Sequence, residues 1–111
     1  MKLTFGRIVS TALMMLATVP AQASTTGPGF ITTIHALVGG TPLFIQTGSR
    51  TAKPACATSN RWAIPNSSAG QSMLSILLTA YAQGKRIWIV GTGTCPDWGD
   101  SETVSYFYID D

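Results

Sequence analysis

The amino-terminal segment is the feature that most limits what this chain can fold into. Lys2 and Arg7 precede an apolar run, residues 8–19, which is followed by Pro20 and the small residues Ala21-Gln22-Ala23. This order is typical of a secretory signal peptide, residues 1–23, that is cleaved after Ala23. The apolar run has 12 residues, whereas a membrane-spanning helix needs roughly 20. We therefore expect export, to the periplasm or beyond the cell, and no membrane span.

The part that remains after cleavage, residues 24–111, has 88 residues and is predicted to be a single domain. It contains five Lys or Arg and five Asp or Glu, so its formal net charge is 0, compared with +2 for the whole chain. Nucleic-acid binding depends on clustered Lys and Arg that neutralise phosphates. We therefore expect no nucleic-acid partner.

The chain contains two cysteines, Cys56 and Cys95, which are separated by 39 residues. Export places them where disulfides form and persist. Their separation is unlike the CxxC spacing of redox-active pairs. We predict a structural disulfide, which in the chain-entropy model stabilises a fold by about 4 kcal/mol for a loop of this size.

Apolar runs and turn-forming residues divide the domain into five strands and one helix. Residues 24–29 have the composition of a loose lead. The helix has capping-box spacing at Ser68 and Gln71 and a C-cap glycine at Gly84, with an apolar stripe at Met73, Leu74, Leu77, Leu78 and Tyr81. The predicted strands are residues 30–38, 43–45, 61–64, 87–90 and 104–109, with the helix at residues 66–84.

This order of elements favours a mainly β (α+β) fold. It is the order of a five-stranded OB-fold-like Greek-key barrel with one helix between strands 3 and 4. A generic α+β sandwich would contain the same elements, so periodicity leaves both architectures open. Residues 87–90 are apolar on both faces, which predicts a central strand that is buried on one side by the core and on the other by either the helix or a neighbouring subunit.

Several short motifs resemble those of known proteins. They are Cys56 and residues 61–64 (RWAI), 80–85 (AYAQGK), 91–95 (GTGTC) and 98–102 (WGDSE). Over residues 56–109 the chain resembles a group of small exported bacterial OB-fold proteins of uncharacterised function and, more distantly, the cell-binding B subunits of pentameric-ring toxins such as subtilase cytotoxin. The resemblance implies an intrachain disulfide, a ring of five copies and binding to cell-surface glycans. No binding residue is carried over, because residues 24–53 contain no matching motif.

Aromatic and acidic residues form the candidate ligand site. Trp98 lies in a loop between Asp97 and Asp100. An indole face beside carboxylates suits the C–H groups and hydroxyls of a sugar. We predict that Trp98, Asp97, Asp100 and Trp62 bind ligand. The alternatives are that Trp98 folds over the end of the barrel and that Trp62, with the tyrosines of the last strand, lines a subunit interface.

Catalysis, a cofactor and a metal site are not predicted. The single histidine, His35, lies in an apolar strand pattern, and no serine occupies a nucleophile motif. Asp97, Asp100 and Glu102 would be the candidates for acid–base chemistry or for calcium binding. Their spacing fits no EF-hand loop, and in a charge-poor chain such residues more often form turns.

Two functions follow from these observations. The first is a non-catalytic exported module that recognises carbohydrate, assembled as a homo-oligomeric ring. The alternative is a small exported structural or inhibitory protein that binds a protein partner.

Overall fold

The computed structural model describes residues 23–110, so the predicted signal peptide lies outside the described residues except for Ala23. Within this range the fold is mainly β, with six strands and one helix. In chain order the elements are β1 (Thr25–His35), β2 (Leu43–Gln46), β3 (Arg50–Thr51), β4 (Trp62–Ala63), α1 (Ser68–Gln83), β5 (Arg86–Gly91) and β6 (Glu102–Asp110).

The predicted class, mainly β with a single helix, is confirmed for these residues, but the predicted number of strands is wrong. The additional strand is β3, which lies in the polar stretch predicted as a long connection. Because of β3, the helix follows the fourth strand and not the third. Two residues of irregular composition give no periodicity from which a strand can be predicted.

The strands form one sheet in the order β2-β4-β6-β5-β1-β3, with an additional pairing between β2 and β1. That pairing makes a closed circuit, β1-β2-β4-β6-β5-β1, and β3 lies beside β1 outside the circuit. The β4–β6 pair is parallel, and all the other pairs are antiparallel.

The segment 24–29, predicted as a loose lead, instead belongs to the sheet. Thr25 and Thr26 pair with both β3 and β5, and Ser24 is fully buried. The register shifts between Thr26 and Gly29, and a side chain at Gly29 would overlap the backbone of Gly48. The glycines that indicated a loop therefore allow a bulged strand to pass close to a neighbouring segment.

The core lies inside the circuit of strands and beneath the helix, which contributes Leu77 and Ala80 to it. Leu78 and Tyr81, which belong to the predicted apolar stripe, are about half exposed. The buried cluster consists of Ile31, Phe44, Trp62, Ile64, Leu77, Ala80, Ile87, Ile89 and Val104.

The ends of the helix are formed by local hydrogen bonds. Ser67 is the N-cap, and its Oγ accepts a hydrogen bond from the Gly70 N–H at 3.2 Å, so the cap lies one residue before the predicted position. Gly84 is the C-cap, as predicted, with a left-handed φ of 62°. Glycine adopts this conformation without steric cost.

Strand β5 is central, as predicted, because it lies between β6 and β1. Within the single chain only one face of β5 is fully buried, and burial of the other face by a neighbouring subunit stays a prediction. Ile87 and Ile89 are fully buried, whereas Trp88 and Val90 on the outer face are half-buried. The Trp88 ring stacks on Tyr108 of β6, with 6.1 Å between the ring centroids.

The predicted disulfide between Cys56 and Cys95 is present, with 6.1 Å between the Cα atoms. It ties the loop after β3 to the loop after β5. Within residues 23–110, no helix has the length and apolarity that crossing a membrane requires.

Candidate ligand-binding site

The residues predicted to bind ligand lie in different surroundings. Trp62 is on β4 and is 1% exposed, so it belongs to the core. Trp98 is half-buried in the loop before β6, and its ring lies against Gly40. The structure does not place Trp62 on an open surface beside the loop of Trp98.

Asp97 and Asp100 hold this loop in place. Asp97 accepts hydrogen bonds from the Asn66 N–H at 3.0 Å and from the Thr103 hydroxyl at 2.7 Å. Asp100 pairs with Arg61, whose Nη2 lies 3.0 Å from one carboxylate oxygen and 3.2 Å from the other. Both carboxylates therefore join the loop to the segment around β4.

A groove of about 400 Å³ lies beside this loop. It includes Gly40, which contacts the Trp98 ring, and Asn66, which bonds to Asp97. The start of α1 and the turn before β2 form its walls, with Thr41, Pro65, Ser67, Gln71 and Leu74 among the lining residues. Trp98 and Asp97 therefore lie at the edge of a surface groove.

A second cavity, of about 260 Å³, lies over Trp62 and is called here the Arg50 cavity. Its lining combines apolar and polar side chains: Thr26, Ile45, Gln46, Gly48, Arg50, Asn60 and Trp62. Asn60 is exposed, so the cavity reaches the surface on its side.

The polar lining of the Arg50 cavity contains buried atoms that have no hydrogen-bond partner. These atoms are Thr26 Oγ1, Gln46 Oε1, Arg50 Nε and Arg50 Nη1. Thr26 is 2% exposed, Gln46 is 8% exposed and the Arg50 side chain is 11% exposed. Buried polar atoms are normally paired, and each one left unpaired costs about 1–3 kcal/mol. The cavity therefore presents donors and acceptors to a polar occupant.

The side chains around the Arg50 cavity are held in place by other contacts. Arg50 Nη2 donates to Glu102 Oε1 at 2.7 Å, and the guanidinium lies over the Trp62 ring, 3.9 Å from its centroid. The amide nitrogen of Gln46 donates to the carbonyl oxygens of Gly27 and Ile87. Because these contacts fix both side chains, their unpaired atoms have defined directions before any ligand arrives.

Glu102, at the start of β6, supports Arg50 from beneath the cavity. Its side chain is fully buried, and Oε2 accepts hydrogen bonds from the Gly93 N–H at 2.8 Å and from the Ser24 N–H at 3.1 Å. Burial acts to raise the pKa of Glu102, but hydrogen bonds from Ser24, Arg50 and Gly93 outweigh it and hold the pKa below its ordinary value. The carboxylate is therefore ionised at neutral pH and keeps Arg50 paired.

The three carboxylates considered for catalysis or calcium binding do not converge. Asp97 bonds to Asn66 and Thr103, Asp100 pairs with Arg61, and Glu102 pairs with Arg50. In residues 23–110 there is no cluster of three or more His, Cys, Asp or Glu side chains suited to a metal ion.

Sequence reasoning missed the residues of the Arg50 cavity other than Trp62. Gln46 ends an otherwise apolar strand, and Arg50 is one of few charged residues in a charge-poor chain. Either could have been noted as a polar residue in an apolar setting. Their proximity to Thr26, however, depends on the pairing of β1 with β3 and β5, which sequence spacing does not reveal.

In comparisons with known proteins, no family model matches the chain, and no match was found among the curated proteins or the solved structures. A functional proposal therefore depends on the site itself.

Proposed function

We propose that this protein is an exported, non-catalytic binding module and that the Arg50 cavity binds a sugar residue of a glycan. The observation that carries the proposal is the set of four unpaired polar atoms on three buried side chains around one cavity. A ligand that pairs with these atoms recovers the free energy that their burial costs.

The chemistry of the unpaired atoms suits a sugar. Gln46 Oε1 accepts a hydrogen bond, the two Arg50 N–H groups donate, and the Thr26 hydroxyl does either. Sugar hydroxyls likewise donate and accept. The volume of about 260 Å³ is below the roughly 300–1,000 Å³ of pockets for drug-sized molecules. One sugar residue is therefore the expected occupant, with the rest of the glycan leaving past Asn60.

The architecture is consistent with this role. The circuit of strand pairings, the parallel β4–β6 pair and a helix that precedes β5 support an OB-fold-like barrel. Such barrels host oligosaccharide and oligonucleotide binding. The neutral charge of residues 24–111 favours the oligosaccharide.

The test is a glycan panel, with neutral and acidic members, applied to disulfide-bonded protein that begins at Ser24. Thr26→Val removes the unpaired hydroxyl at almost constant volume, and Arg50→Lys keeps the charge beside Glu102 but removes both unpaired donors, Nε and Nη1. We expect Thr26→Val to weaken binding by about tenfold, the effect of one lost buried hydrogen bond, and Arg50→Lys to weaken it by at least as much.

Thr25→Val is the matched control. Thr25 lies next to Thr26 on β1, but its hydroxyl is exposed and bonds to Thr51 of β3. Trp98→Ala tests whether the loop predicted from sequence also contacts the glycan. Absence of binding across the panel, or unchanged affinity in both cavity variants, would overturn the proposal for the Arg50 cavity.

Binding of a protein partner is the second candidate function, and the outer face of the sheet favours it. Trp88 pairs in register with Tyr108, and Val90 pairs with Tyr106, so these side chains share one face. Phe30, Tyr106 and Tyr108 are each about half exposed. Aromatic residues are enriched in the buried centres of protein interfaces, including those between copies of one chain.

A further inference from the structure

The backbone nitrogen of Ser24 lies in an unusual place for the start of a domain. It donates a hydrogen bond to Glu102 Oε2 at 3.1 Å, and Ser24 has no exposed surface. The preceding residue, Ala23, is exposed and outside any strand. The chain therefore passes from solvent into the interior within one residue.

The predicted cleavage site coincides with this transition. Proteolysis between Ala23 and Ser24 hydrolyses the peptide bond, adds water across it and leaves a new amino group on Ser24. At neutral pH this group is an α-ammonium with a positive charge and three N–H donors, where the uncleaved chain has a neutral amide with one.

We propose that removal of the predicted signal peptide after Ala23 creates a buried ion pair between the new Ser24 α-ammonium and Glu102. Cleavage at this bond is thus a modification that adds to the stability of the fold. A cut one residue earlier or later does not place the charge at the same atom.

The surroundings of Glu102 accommodate a second cation. Arg50 is the charged side chain that contacts Glu102, and it uses Oε1, whereas the Ser24 nitrogen faces Oε2. The Ser24 carbonyl accepts a hydrogen bond from the Gly91 N–H at 2.8 Å, which holds residue 24 in place whether or not the preceding bond is intact. The new charge therefore arises at a position that the sheet has already fixed.

Opposite charges at this distance in a buried setting favour the charged forms of both groups. Acylating reagents attack the neutral amine, so an ion-paired amine is protected from them. In a chain that retains Ala23, the Ser24 amide can still donate to Glu102, but the positive charge lies one residue away in solvent.

The test compares protein that begins at Ser24 with protein that begins at Ala23. Each form is treated at about pH 8, near the ordinary pKa of an α-amine, with an N-hydroxysuccinimide ester, and labelling is quantified by peptide mass spectrometry. The exposed Lys53 is the internal reference. We expect the Ser24 amine to be labelled at least tenfold more slowly than the Ala23 amine.

Denaturant unfolding of the same two forms provides a second measurement. We expect the form that begins at Ser24 to have the higher unfolding midpoint, and we expect the difference to disappear when both forms carry Glu102→Gln. Should that substitution prevent folding, the difference in unfolding midpoint between the two forms still decides, because burial of Ser24 alone would slow labelling without raising the midpoint. Equal labelling of the two amines, equal midpoints, or an exported protein whose first residue is not Ser24 would overturn the proposal.

Discussion

Glu102 is a charged side chain with no exposed surface, which is an expensive arrangement for a small domain. Removing a carboxylate from water costs several kcal/mol unless partners compensate. Here Arg50, Gly93 and Ser24 supply donors to both oxygens. The carboxylate therefore joins Arg50 of β3 and Ser24, the residue before β1, to the start of β6.

Glu102→Gln is expected to destabilise the protein by about 3–5 kcal/mol at neutral pH, because it leaves Arg50 buried without a counter-charge.

The lowered pKa of Glu102 means that the unfolded chain binds a proton more readily than the folded one. The stabilising contribution of Glu102 is present above its ordinary pKa of 4.5 and is lost as the pH falls through the lowered pKa of the folded protein. Denaturant titrations between pH 3 and pH 7 measure how the free energy of unfolding depends on pH.

The part of the acid sensitivity that arises from Glu102 is expected to be absent from the Gln variant. The same pH dependence in both proteins would show that Glu102 is not the group responsible.

The side chain of Glu102 leaves room only for a glycine at position 91. A Cβ atom at Gly91 would overlap the Glu102 carboxylate and the Trp62 ring. We expect Gly91→Ala to lower the free energy of unfolding by about 1–3 kcal/mol, the usual cost of overpacking. Gly99→Ala is the control, because no atom lies within 4 Å of the added methyl. Thermal unfolding of both variants measures the difference, and equal losses would contradict the prediction.

At this scale the sequence identifies which residues are chemically notable but not which of them meet. Trp62, predicted to bind ligand together with Trp98, lies in the core on β4 and lines the Arg50 cavity, which is separate from the groove beside the Trp98 loop. Arg50 and Gln46 line one cavity with Thr26 because β1 pairs with β3 and β5, which brings Thr26 next to them. Side-chain partnerships across 20 or more residues depend on tertiary pairing, which local patterns do not contain.

Among the elements, the helix shows how closely local chemistry can be predicted. Its extent and C-cap follow from apolar spacing and Gly84, and its N-cap differs from the prediction by one residue. The two serines at its start are chemically equivalent in sequence. Only the backbone decides between them, because Ser67 has the extended conformation that lets its hydroxyl reach the Gly70 N–H.

Ser67→Ala is therefore expected to destabilise the protein by about 1 kcal/mol, the usual effect of losing an N-cap. Ser68→Ala is the matched control, and we expect it to change the unfolding midpoint by much less. Chemical denaturation of the two variants and the parent distinguishes the caps. A larger loss of stability in Ser68→Ala than in Ser67→Ala would instead support Ser68 as the N-cap, as the sequence predicted.

The strands were predictable where hydrophobic runs are long enough to show a pattern, as in β2 and β5. The start of β1 and the whole of β3 were not, because glycine, proline and threonine there indicate loops. Those residues become strand because neighbouring strands offer hydrogen bonds to them.

For the whole molecule, the disulfide is the main covalent constraint on the fold. Replacing both Cys56 and Cys95 with Ala is expected to lower the free energy of unfolding by about 4 kcal/mol. The reason is that the unfolded chain gains the conformational freedom that the closed loop denies it. Denaturant titrations of the double variant and the parent, without reductant, measure the difference. Addition of reductant should destabilise the parent alone, and similar sensitivity of both proteins would contradict the assignment.

The oligomeric state tests what covers the outer face of the sheet. Native mass spectrometry of protein that begins at Ser24 is expected to show a ring of five copies, which the resemblance to the toxin B subunits implies. Tyr106→Ser and Tyr108→Ser together are expected to shift the mass toward the monomer, because both rings lie half exposed on that face. A monomeric parent would contradict the ring that the resemblance implies.

The closed circuit of strand pairings also has a consequence for the order in which the molecule is built. The first strand pairs with the fifth, and the fourth pairs with the last. Contacts between distant segments slow folding, since long loops must close before the contacts form. The sheet cannot close until residues 86–110 have been synthesised. The ribosome must therefore synthesise the chain as far as residue 110 before the circuit of strands can close, and until then the unfolded chain can pass through a narrow pore.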